Sequence, residues 1–204
     1  MSRLSVVIAS TRPGRVGLPV GRWVAETAAA HGAFEVEVAD LAELALPLLD
    51  EPHHPRLGQY VHAHTRHWSA LVEASDAFVF VTPEYNHGPA ASLLNAMSYL
   101  YHEWQHKPVG FVSYGGAGGG LRAVQAVKPV LSRLSMVPIP AGVAVHYIKR
   151  QVVDDVFTPS PPQQAAAAAM LDELVRWTEA LRSLRERPPP DPADRSRSGD
   201  PVPT

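Results

Sequence analysis

The sequence predicts an α/β fold in which helices cover both faces of a parallel β-sheet. Five short apolar runs alternate with five longer segments of helical pattern along the 204 residues, and this alternation is typical of parallel sheets. One run, residues 77–81, contains no polar side chain, as expected of a strand buried on both faces. The crossovers between strands are expected to be right-handed.

Each predicted strand is a short apolar or β-branched run. The first ends at the turn Ser10-Thr11-Arg12-Pro13-Gly14. The second alternates apolar and acidic residues, as an exposed or edge strand does. The five predicted strands are residues 4–9, 34–38, 77–81, 108–113 and 137–145.

The segments between these runs predict five helices. Gly32 ends the first helix, and Pro89 lies near the first turn of the third, where its missing N–H is not needed. Pro129 is expected to kink the fourth helix or to open a new turn. Residues 47–58, rich in proline and histidine, are predicted to form a loop. The five predicted helices are residues 16–31, 59–75, 89–102, 119–134 and 163–185.

The composition excludes several kinds of chemistry. The chain has no cysteine, which excludes disulfide bonds, Cys-ligated zinc or iron–sulfur centres and a thiol nucleophile. It also lacks the Gly-x-Ser-x-Gly elbow of many hydrolases. Any redox chemistry therefore needs a bound cofactor to carry the electrons.

Charge and hydropathy limit the partners. The net charge of −2 provides no strongly basic face for nucleic acid, and no apolar run approaches the roughly 18 residues of a membrane span. The N-terminus has no secretory signal pattern and runs directly into a predicted strand. We therefore expect a cytoplasmic protein with no nucleic-acid partner and no membrane partner.

The length predicts one domain, followed by a tail. Six of the twenty prolines lie in the last seventeen residues. This segment has almost no apolar side chains, so burial cannot offset the entropy cost of ordering it. We predict a folded domain over residues 1–185 and a disordered Pro-rich tail over residues 186–204.

A sheet of this kind also predicts where a ligand binds. Ligands of open α/β sheets bind beyond the carboxyl ends of the strands. The segments there are residues 10–17, 82–88 and 113–120, which we call the first, second and third loops. They hold the densest clusters of glycine and polar residues in the chain. This coincidence is the main sequence evidence for function.

The first loop joins a strand to a helix N-terminus, a position that favours an anion. The hydroxyls of Ser10 and Thr11 and the guanidinium groups of Arg12 and Arg15 are suitable phosphate donors. The loop matches neither the Walker A pattern nor Gly-x-Gly-x-x-Gly, which disfavours a nucleoside triphosphate or a permanently bound dinucleotide. A monophosphate fits better; a capped turn with solvated arginines is the alternative.

The other two loops are unusual for simple connections. The second loop is seven residues long and includes an acidic and an aromatic side chain. It either borders a flat, hydrogen-bonding ligand or caps the next helix. The third loop has five glycines in eight residues, which favours close backbone approach or positive φ over a flexible linker. It fails the dinucleotide fingerprint because Leu121 stands where the third glycine belongs.

At these loops the sequence resembles the NADPH-dependent FMN reductase family, flavodoxin-like enzymes that include quinone, azo-dye and chromate reductases. The likeness extends over about residues 3–145. It is carried by Ser10-Thr11-Arg12-x-x-Arg15, Pro83-Glu84-Tyr85-Asn86 with Gly88, Ser113-Tyr114-Gly115-Gly116, and Glu103-Trp104-x-x-Lys107-Pro108-Val109. The resemblance implies a flavodoxin-like three-layer sandwich, with a five-stranded parallel sheet of order 2-1-3-4-5 and helices on both faces.

The resemblance also implies FMN as cofactor, with defined binding residues. The phosphate would be held by Ser10, Arg12, Arg15, Val16 and Gly17. One side of the isoalloxazine ring would be bordered, chiefly through backbone groups, by Pro83, Glu84, Tyr85 and Asn86. Its other side would be lined by Ser113, Tyr114, Gly115 and Gly116. The flavin carries the chemistry, so no side chain is expected to be catalytic and no metal is expected.

The implied function is an FMN-dependent NAD(P)H oxidoreductase. It would pass hydride and electrons from NADPH or NADH to flavin, quinone or a similar small-molecule acceptor by a ping-pong route, as a homodimer or homotetramer. One alternative is a flavodoxin-like FMN electron carrier without its own nicotinamide reaction. Flavodoxins usually have a strongly acidic surface for partner docking, and a net charge of −2 argues against such a surface here. Another is a phosphate-binding regulatory module, which leaves the second loop unexplained.

Two features do not follow from the family pattern. Where members often have Lys-Asn-Ala-x-Asp after the second loop, this chain has Leu94-Asn95-Ala96-Met97-Ser98, which bears on substrate preference and assembly more than on flavin binding. Half of the histidines lie within residues 53–67. We interpret them as part of a mobile loop beside the flavin rather than a metal site, because a helix would place His64 and His67 on one face and His62 elsewhere. By its position, His87 is the better functional candidate.

Overall fold

The computed structural model describes residues 1–186, and at its centre is a five-stranded parallel sheet of order β2-β1-β3-β4-β5. The predicted strand order and the position of the second strand at an edge are confirmed. The strands are β1 (Ser2–Ile8), β2 (Phe34–Asp40), β3 (Ala77–Pro83), β4 (Pro108–Tyr114) and β5 (Val137–Val145). The predicted tail lies, apart from Glu186, outside the described residues.

Helices cover both faces of the sheet, as predicted. They are α1 (Gly17–His31), α2 (Leu41–Leu44), α3 (Ala63–Ala74), α4 (Ala91–Ser98), α5 (Leu121–Arg133), α6 (Pro161–Ala180) and α7 (Arg182–Arg185). Short 3₁₀ turns occupy Pro55–Leu57, His102–Trp104 and Ile148–Arg150. A two-stranded hairpin, β6 (Val152–Val153) and β7 (Val156–Phe157), precedes α6.

Several predicted helix boundaries are wrong, and local hydrogen bonds explain two of them. The helix predicted at residues 59–75 begins only at Ala63 because the Glu51 carboxylate accepts the backbone N–H groups of Val61 and His62, at 2.9 and 3.1 Å. The last helix begins two residues early, at Pro161, because Ser160 and Gln163 form a capping box.

The other differences are an additional short helix, an early helix end and a proline inside a continuous helix. The four-residue helix α2 is capped by Asp40, whose carboxylate accepts the Ala42 N–H at 3.0 Å. The helix predicted at residues 89–102 ends at Ser98 and is followed by a 3₁₀ turn. Pro129 lies inside α5, which continues as one helix to Arg133.

Two apolar cores lie on opposite faces of the sheet. On one face, side chains such as Val24 of α1 and Leu174 of α6 pack against the strands. On the other face, α3, α4 and α5 pack around Trp68 and Trp104, whose ring centroids are 5.7 Å apart. Every residue of β3 is buried, which confirms that this strand is covered on both faces.

The segment entering β4 is structural. The buried Lys107 ammonium donates to the backbone carbonyls of Val72 and Glu73 at 2.8 and 3.0 Å, and so caps the C-terminus of α3. Its neighbour Glu103, also buried, accepts the Ser69 hydroxyl at 2.6 Å. This part of the family-like pattern therefore joins α3 to the sheet and lies outside the three loops.

Burial lowers the pKa of Lys107 to about 8 from an ordinary 10.5, so between these values the unfolded chain binds more protons than the folded one. We predict that wild type gains stability relative to Lys107→Met as the pH rises from 8 to 10.5. The difference between their free energies of unfolding should increase by up to about 1.4 kcal/mol per pH unit. Urea unfolding across this range measures it, with the exposed Lys149→Met as control. Parallel pH profiles for wild type and Lys107→Met would contradict the prediction.

Candidate functional site

The three loops meet at the carboxyl edge of the sheet, as predicted. The hydroxyl groups of Ser10 and Tyr85 are 2.7 Å apart, which joins the first loop to the second. The backbone N–H of Glu84 donates to the Tyr114 carbonyl at 3.1 Å, which joins the second loop to the end of β4. The expected binding residues of all three loops are therefore brought into one site.

In the first loop, one arginine is turned inward. The Arg15 guanidinium forms a two-pronged ion pair with the Asp40 carboxylate and donates to the Ser10 carbonyl at 2.7 Å. The hydrogen bond with Asp40 raises the pKa of Arg15 above its ordinary value despite partial burial. Arg15 thus ties the loop to the end of β2, whereas Arg12 is exposed to solvent.

Tyr114 lies directly beneath the start of α1. A Cβ atom at Gly17 would lie 2.2 Å from the Tyr114 hydroxyl oxygen, so this position accepts only glycine without a shift of the ring. The hydroxyl is buried and, among the described residues, has no hydrogen-bond partner. Burial, with Tyr85 nearby, raises the pKa of Tyr114, so the phenol keeps its proton and remains a donor.

The second loop contains a tight two-residue turn. Tyr85 and Gly88 exchange both backbone hydrogen bonds, at 2.9 and 2.8 Å, around Asn86 and His87. Both central residues have positive φ, 50° and 65°, as in a type I′ turn. The amides of Glu84, Tyr85 and Gly88 are therefore used inside the protein, and those of Asn86 and His87 lie at the tip.

The Glu84 side chain connects the second loop to α5. Its carboxylate is almost buried, forms an ion pair with the Arg122 guanidinium and accepts the Arg122 backbone N–H at 3.2 Å. Burial by itself would raise the pKa of Glu84. The hydrogen bonds from Arg122 have the larger, opposite effect, so the pKa of Glu84 lies below its ordinary value. Glu84 is therefore ionised at neutral pH.

The third loop is tightly constrained rather than flexible. The amides of Tyr147 and Ile148 donate to the carbonyls of Gly116 and Gly115 at 2.9 and 3.1 Å, and the Ser113 hydroxyl donates to a carbonyl within the loop at 2.8 Å. Gly120 has φ of 83°, and a Cβ there would lie 2.6 Å from the Tyr114 nitrogen. In contrast, a Cβ at Gly116 would have no neighbour within 4 Å.

Sequence reasoning missed three residues that shape this site. Asp40 holds Arg15, Arg122 holds Glu84, and the His146 ring packs on the third loop, where its Nδ1 lies 2.7 Å from the Ala117 carbonyl. The register that places Asp40 beside Ile8 is the signal that would identify the first pair. Arg122 follows the third loop and His146 follows β5, and neither residue is part of a recognisable motif.

The histidine-rich segment makes its contacts with neighbouring side chains. No group of three or more potential ligands has suitable geometry within residues 1–186. The expectation that His62 lies away from His64 is wrong: their rings stack with centroids 5.1 Å apart, because His62 precedes α3 instead of lying in it. The His64 Nε2 atom and the Tyr99 hydroxyl both contact the Asp50 carboxylate, at 3.0 and 2.9 Å.

The residues that depart from the family-like pattern, Leu94 and Ser98, both lie in α4 and make structural contacts there. Leu94 packs against the core of α3, α4 and α5. The exposed Ser98 hydroxyl donates to the Leu94 carbonyl at 2.7 Å. Asn95, which the pattern retains, instead binds the preceding loop through the Pro47 carbonyl and the Leu49 N–H at 2.6 and 3.0 Å.

Comparison with known proteins gives a consistent result. A family model described as NADPH-dependent FMN reductase matches residues 2–149. An NAD(P)H-dependent FMN reductase of Schizosaccharomyces pombe is 34% identical over 189 residues, covering 92% of this chain and 94% of the relative. A quinone reductase of Pseudomonas putida is 33% identical over 191 residues, covering 89% and 97%.

A solved structure shares the fold. The flavoenzyme NAD(P)H:(acceptor) oxidoreductase FerB of Paracoccus denitrificans superposes with a TM-score of 0.69, covering 88% of this chain and 98% of that one. At 18% identity, this match bears on the fold alone. Among residues 1–186, no helix combines the length and apolar character needed to cross a membrane.

The crowding at Gly120 predicts a cost for any side chain there. Because Gly120 has φ of 83° and no room for Cβ, we expect Gly120→Ala to lower the free energy of unfolding by about 1–3 kcal/mol. Urea denaturation measures the change. Gly116→Ala, in open space, is the matched control and is expected to change stability by less than about 0.5 kcal/mol. Equal effects of both variants would show that the loop is not constrained as described.

Proposed function

The chain belongs to the NADPH-dependent FMN reductase family, and we propose that its three loops hold the FMN cofactor. The protein is a flavodoxin-like oxidoreductase in which electrons pass from NAD(P)H to the flavin. When bound, FMN supplies the hydride and electron transfer. Residues of the three loops bind and orient it, and no side chain is needed as acid or base.

The phosphate end of the site is the start of α1. We assign the phosphate to Ser10, Arg12, Arg15, Val16 and Gly17. A helix N-terminus offers unpaired N–H groups and a positive dipole end to an anion. The observation that carries the assignment is the open N-terminus of α1: among the described residues no side chain caps it, and its first turn contains no acidic residue.

The two arginines of the first loop have different roles in this proposal. Arg12 is exposed and is available to contact the phosphate directly. Arg15 is held by Asp40 and the Ser10 carbonyl. It therefore fixes the first loop and places a positive charge next to the loop backbone. Both contributions favour an anion at the loop.

The ring end of the site lies between the second and third loops. We assign one side of the isoalloxazine ring to Pro83, Glu84, Tyr85 and Asn86, and the other side to Ser113, Tyr114, Gly115 and Gly116. The open space at Gly116 allows a flat ring to approach the backbone closely. At the tip of the second loop, the amides of Asn86 and His87 are the hydrogen-bond donors available to it.

The acceptor is proposed from the relatives. Matched proteins include quinone reductases of Pseudomonas putida and an NADPH azoreductase of Bacillus, so we propose free flavin, quinones or similar flat acceptors. Nicotinamide and acceptor would use the same ring face in turn, in a ping-pong route. The electron-carrier alternative is not favoured, because these relatives and the yeast ones are named as reductases.

We also propose a homodimer or homotetramer. Large apolar side chains are exposed on the loop between α2 and α3, with Leu48 at 83%, Leu57 at 52% and Val61 at 48% exposure. Beside them, a cavity of about 360 Å³ lies between the first loop, α2 and α4. An apolar surface of this kind is typical of an interface, and its contact with Thr11 would place a second subunit near the FMN site.

The assembly proposal has a direct test. Leu48→Glu places a charge on the most exposed of these apolar side chains and is expected to convert the oligomer to monomer, or to weaken association at least tenfold, because burying that charge opposes contact. Sedimentation velocity measures this. Leu184→Glu, at an exposed apolar site on α7, is the control. A monomeric wild type would contradict the proposal.

The function itself is tested by loading the purified protein with FMN and recording the flavin absorption before and after anaerobic NADPH or NADH. We expect stoichiometric FMN uptake, bleaching by at least one nicotinamide, and recovery of absorption when a quinone is added. Uptake without bleaching would support the electron carrier instead. Absence of uptake would exclude both flavin functions.

Arg12→Ala tests the phosphate assignment. Loss of one charge-assisted hydrogen bond is expected to weaken FMN binding by about 1.5–3 kcal/mol, measured by quenching of flavin fluorescence. Arg176→Ala, an exposed arginine on α6, should leave the affinity unchanged. An unchanged affinity in Arg12→Ala would show that the phosphate lies elsewhere.

A further inference from the structure

We propose that Arg122 is a positioning residue for the flavin: by pairing with Glu84 it fixes the spacing of the second and third loops and neutralises the carboxylate beside the ring. This inference rests on the proposed function, which places the ring between those loops. Neither Arg122 nor its pairing follows from the motifs that indicate FMN binding.

Arg122 contacts the second loop through two separate groups. Its backbone N–H, in the first turn of α5, donates to one oxygen of Glu84 at 3.2 Å, and its guanidinium pairs with the other oxygen. The carboxylate is therefore held at the N-terminus of a 13-residue helix as well as by a side chain. Rotation of Glu84 away from this position would break both contacts.

Arg122 also contacts the third loop. A Cβ atom at Gly118 would lie 2.6 Å from the guanidinium nitrogen Nη1, so the guanidinium packs directly on this backbone. The Glu84 Cβ lies 3.6 Å from the Cβ position of Gly115, on the same loop. The ion pair thus lies across the two loops, and its geometry sets the distance between them.

The pair has an electrostatic role as well. Glu84 is almost buried and Arg122 about half exposed, with side-chain exposures of 9% and 51%, so the carboxylate charge is poorly screened by water without its partner. A reduced flavin carries more negative charge than the oxidised form. An uncompensated Glu84 carboxylate would therefore disfavour reduction, and an uncompensated Arg122 would favour it.

Three variants separate geometry from charge. Arg122→Gln removes the positive charge, Glu84→Gln removes the negative charge, and Arg122→Lys keeps the charge without the planar fork of the guanidinium. Arg182→Gln is the matched control, since Arg182, on α7, forms an exposed ion pair with Glu179 at 2.9 Å. All four are compared with wild type as full-length protein.

Three measurements apply to each variant: hydrogen exchange of the third loop in FMN-free protein, FMN affinity by fluorescence quenching, and the midpoint potential of the bound flavin. In Arg122→Gln we expect about tenfold faster loop exchange and about tenfold weaker FMN binding, the scale of a charge-assisted hydrogen bond. The potential is expected to become more negative in Arg122→Gln and more positive in Glu84→Gln. Compared with Arg122→Gln, Arg122→Lys should return the midpoint potential to the wild-type value but recover only part of the FMN affinity.

A merely structural contact would not give opposite potential shifts in the two charge variants. The inference is overturned if both variants shift the potential in the same direction. It is also overturned if exchange and affinity in Arg122→Gln stay within about twofold of wild type, or if Arg182→Gln shows equal changes. Failure of the wild type to take up FMN would instead overturn the proposed function, and this inference with it. Gly118→Ala, which displaces the guanidinium without removing a charge, should weaken FMN binding in the same direction as Arg122→Gln.

Discussion

The pairing of three adjacent parallel strands is the constraint on which the whole site depends. β1 pairs with β3 so that Ile8 lies beside Val81, and β3 pairs with β4 so that Thr82 lies beside Ser113. The residues that follow these positions must leave the sheet side by side, because moving one loop away would break the ladder beneath it. The links between loops, such as the Ser10–Tyr85 hydrogen bond, join residues that only the sheet makes neighbours.

Within this edge the polar groups fall into two sets. One set is used inside the protein: Arg15 on Asp40, the Glu84 carboxylate on Arg122, and the Ser113 hydroxyl on a loop carbonyl. The other set, which includes the exposed Arg12 side chain and the backbone N–H groups at the uncapped start of α1, has hydrogen-bonding capacity left for a ligand. Because the first set orders the loops during folding, binding does not have to supply that ordering free energy.

This division also explains how far sequence reasoning could go. The strands and the three loops could be predicted from the chain itself, because apolar runs and turn residues are local signals and parallel topology brings loops to one edge. The sheet order followed from the family resemblance. The role of Arg15 could not be predicted. In the sequence Arg12 and Arg15 look equivalent, and only the register of β1 against β2 shows that Asp40 lies within reach of one of them. The same holds for His62, whose place outside α3 depends on distant hydrogen bonds to Glu51.

The absence of cysteine gives the arrangement of charge particular weight. With no thiol to exchange electrons, the protein can influence a bound flavin only through packing, hydrogen bonds and electrostatics. Two carboxylates at this edge, the buried Asp40 and the largely covered Glu84, are paired with arginines, so neither opposes an anion in the site. The remaining positive features, Arg12 and the N-terminus of α1, lie together at the first loop, where a phosphate would gain most from them. At the second and third loops the Glu84 charge is balanced by Arg122, so a change in either partner would alter the charge there without altering the first loop.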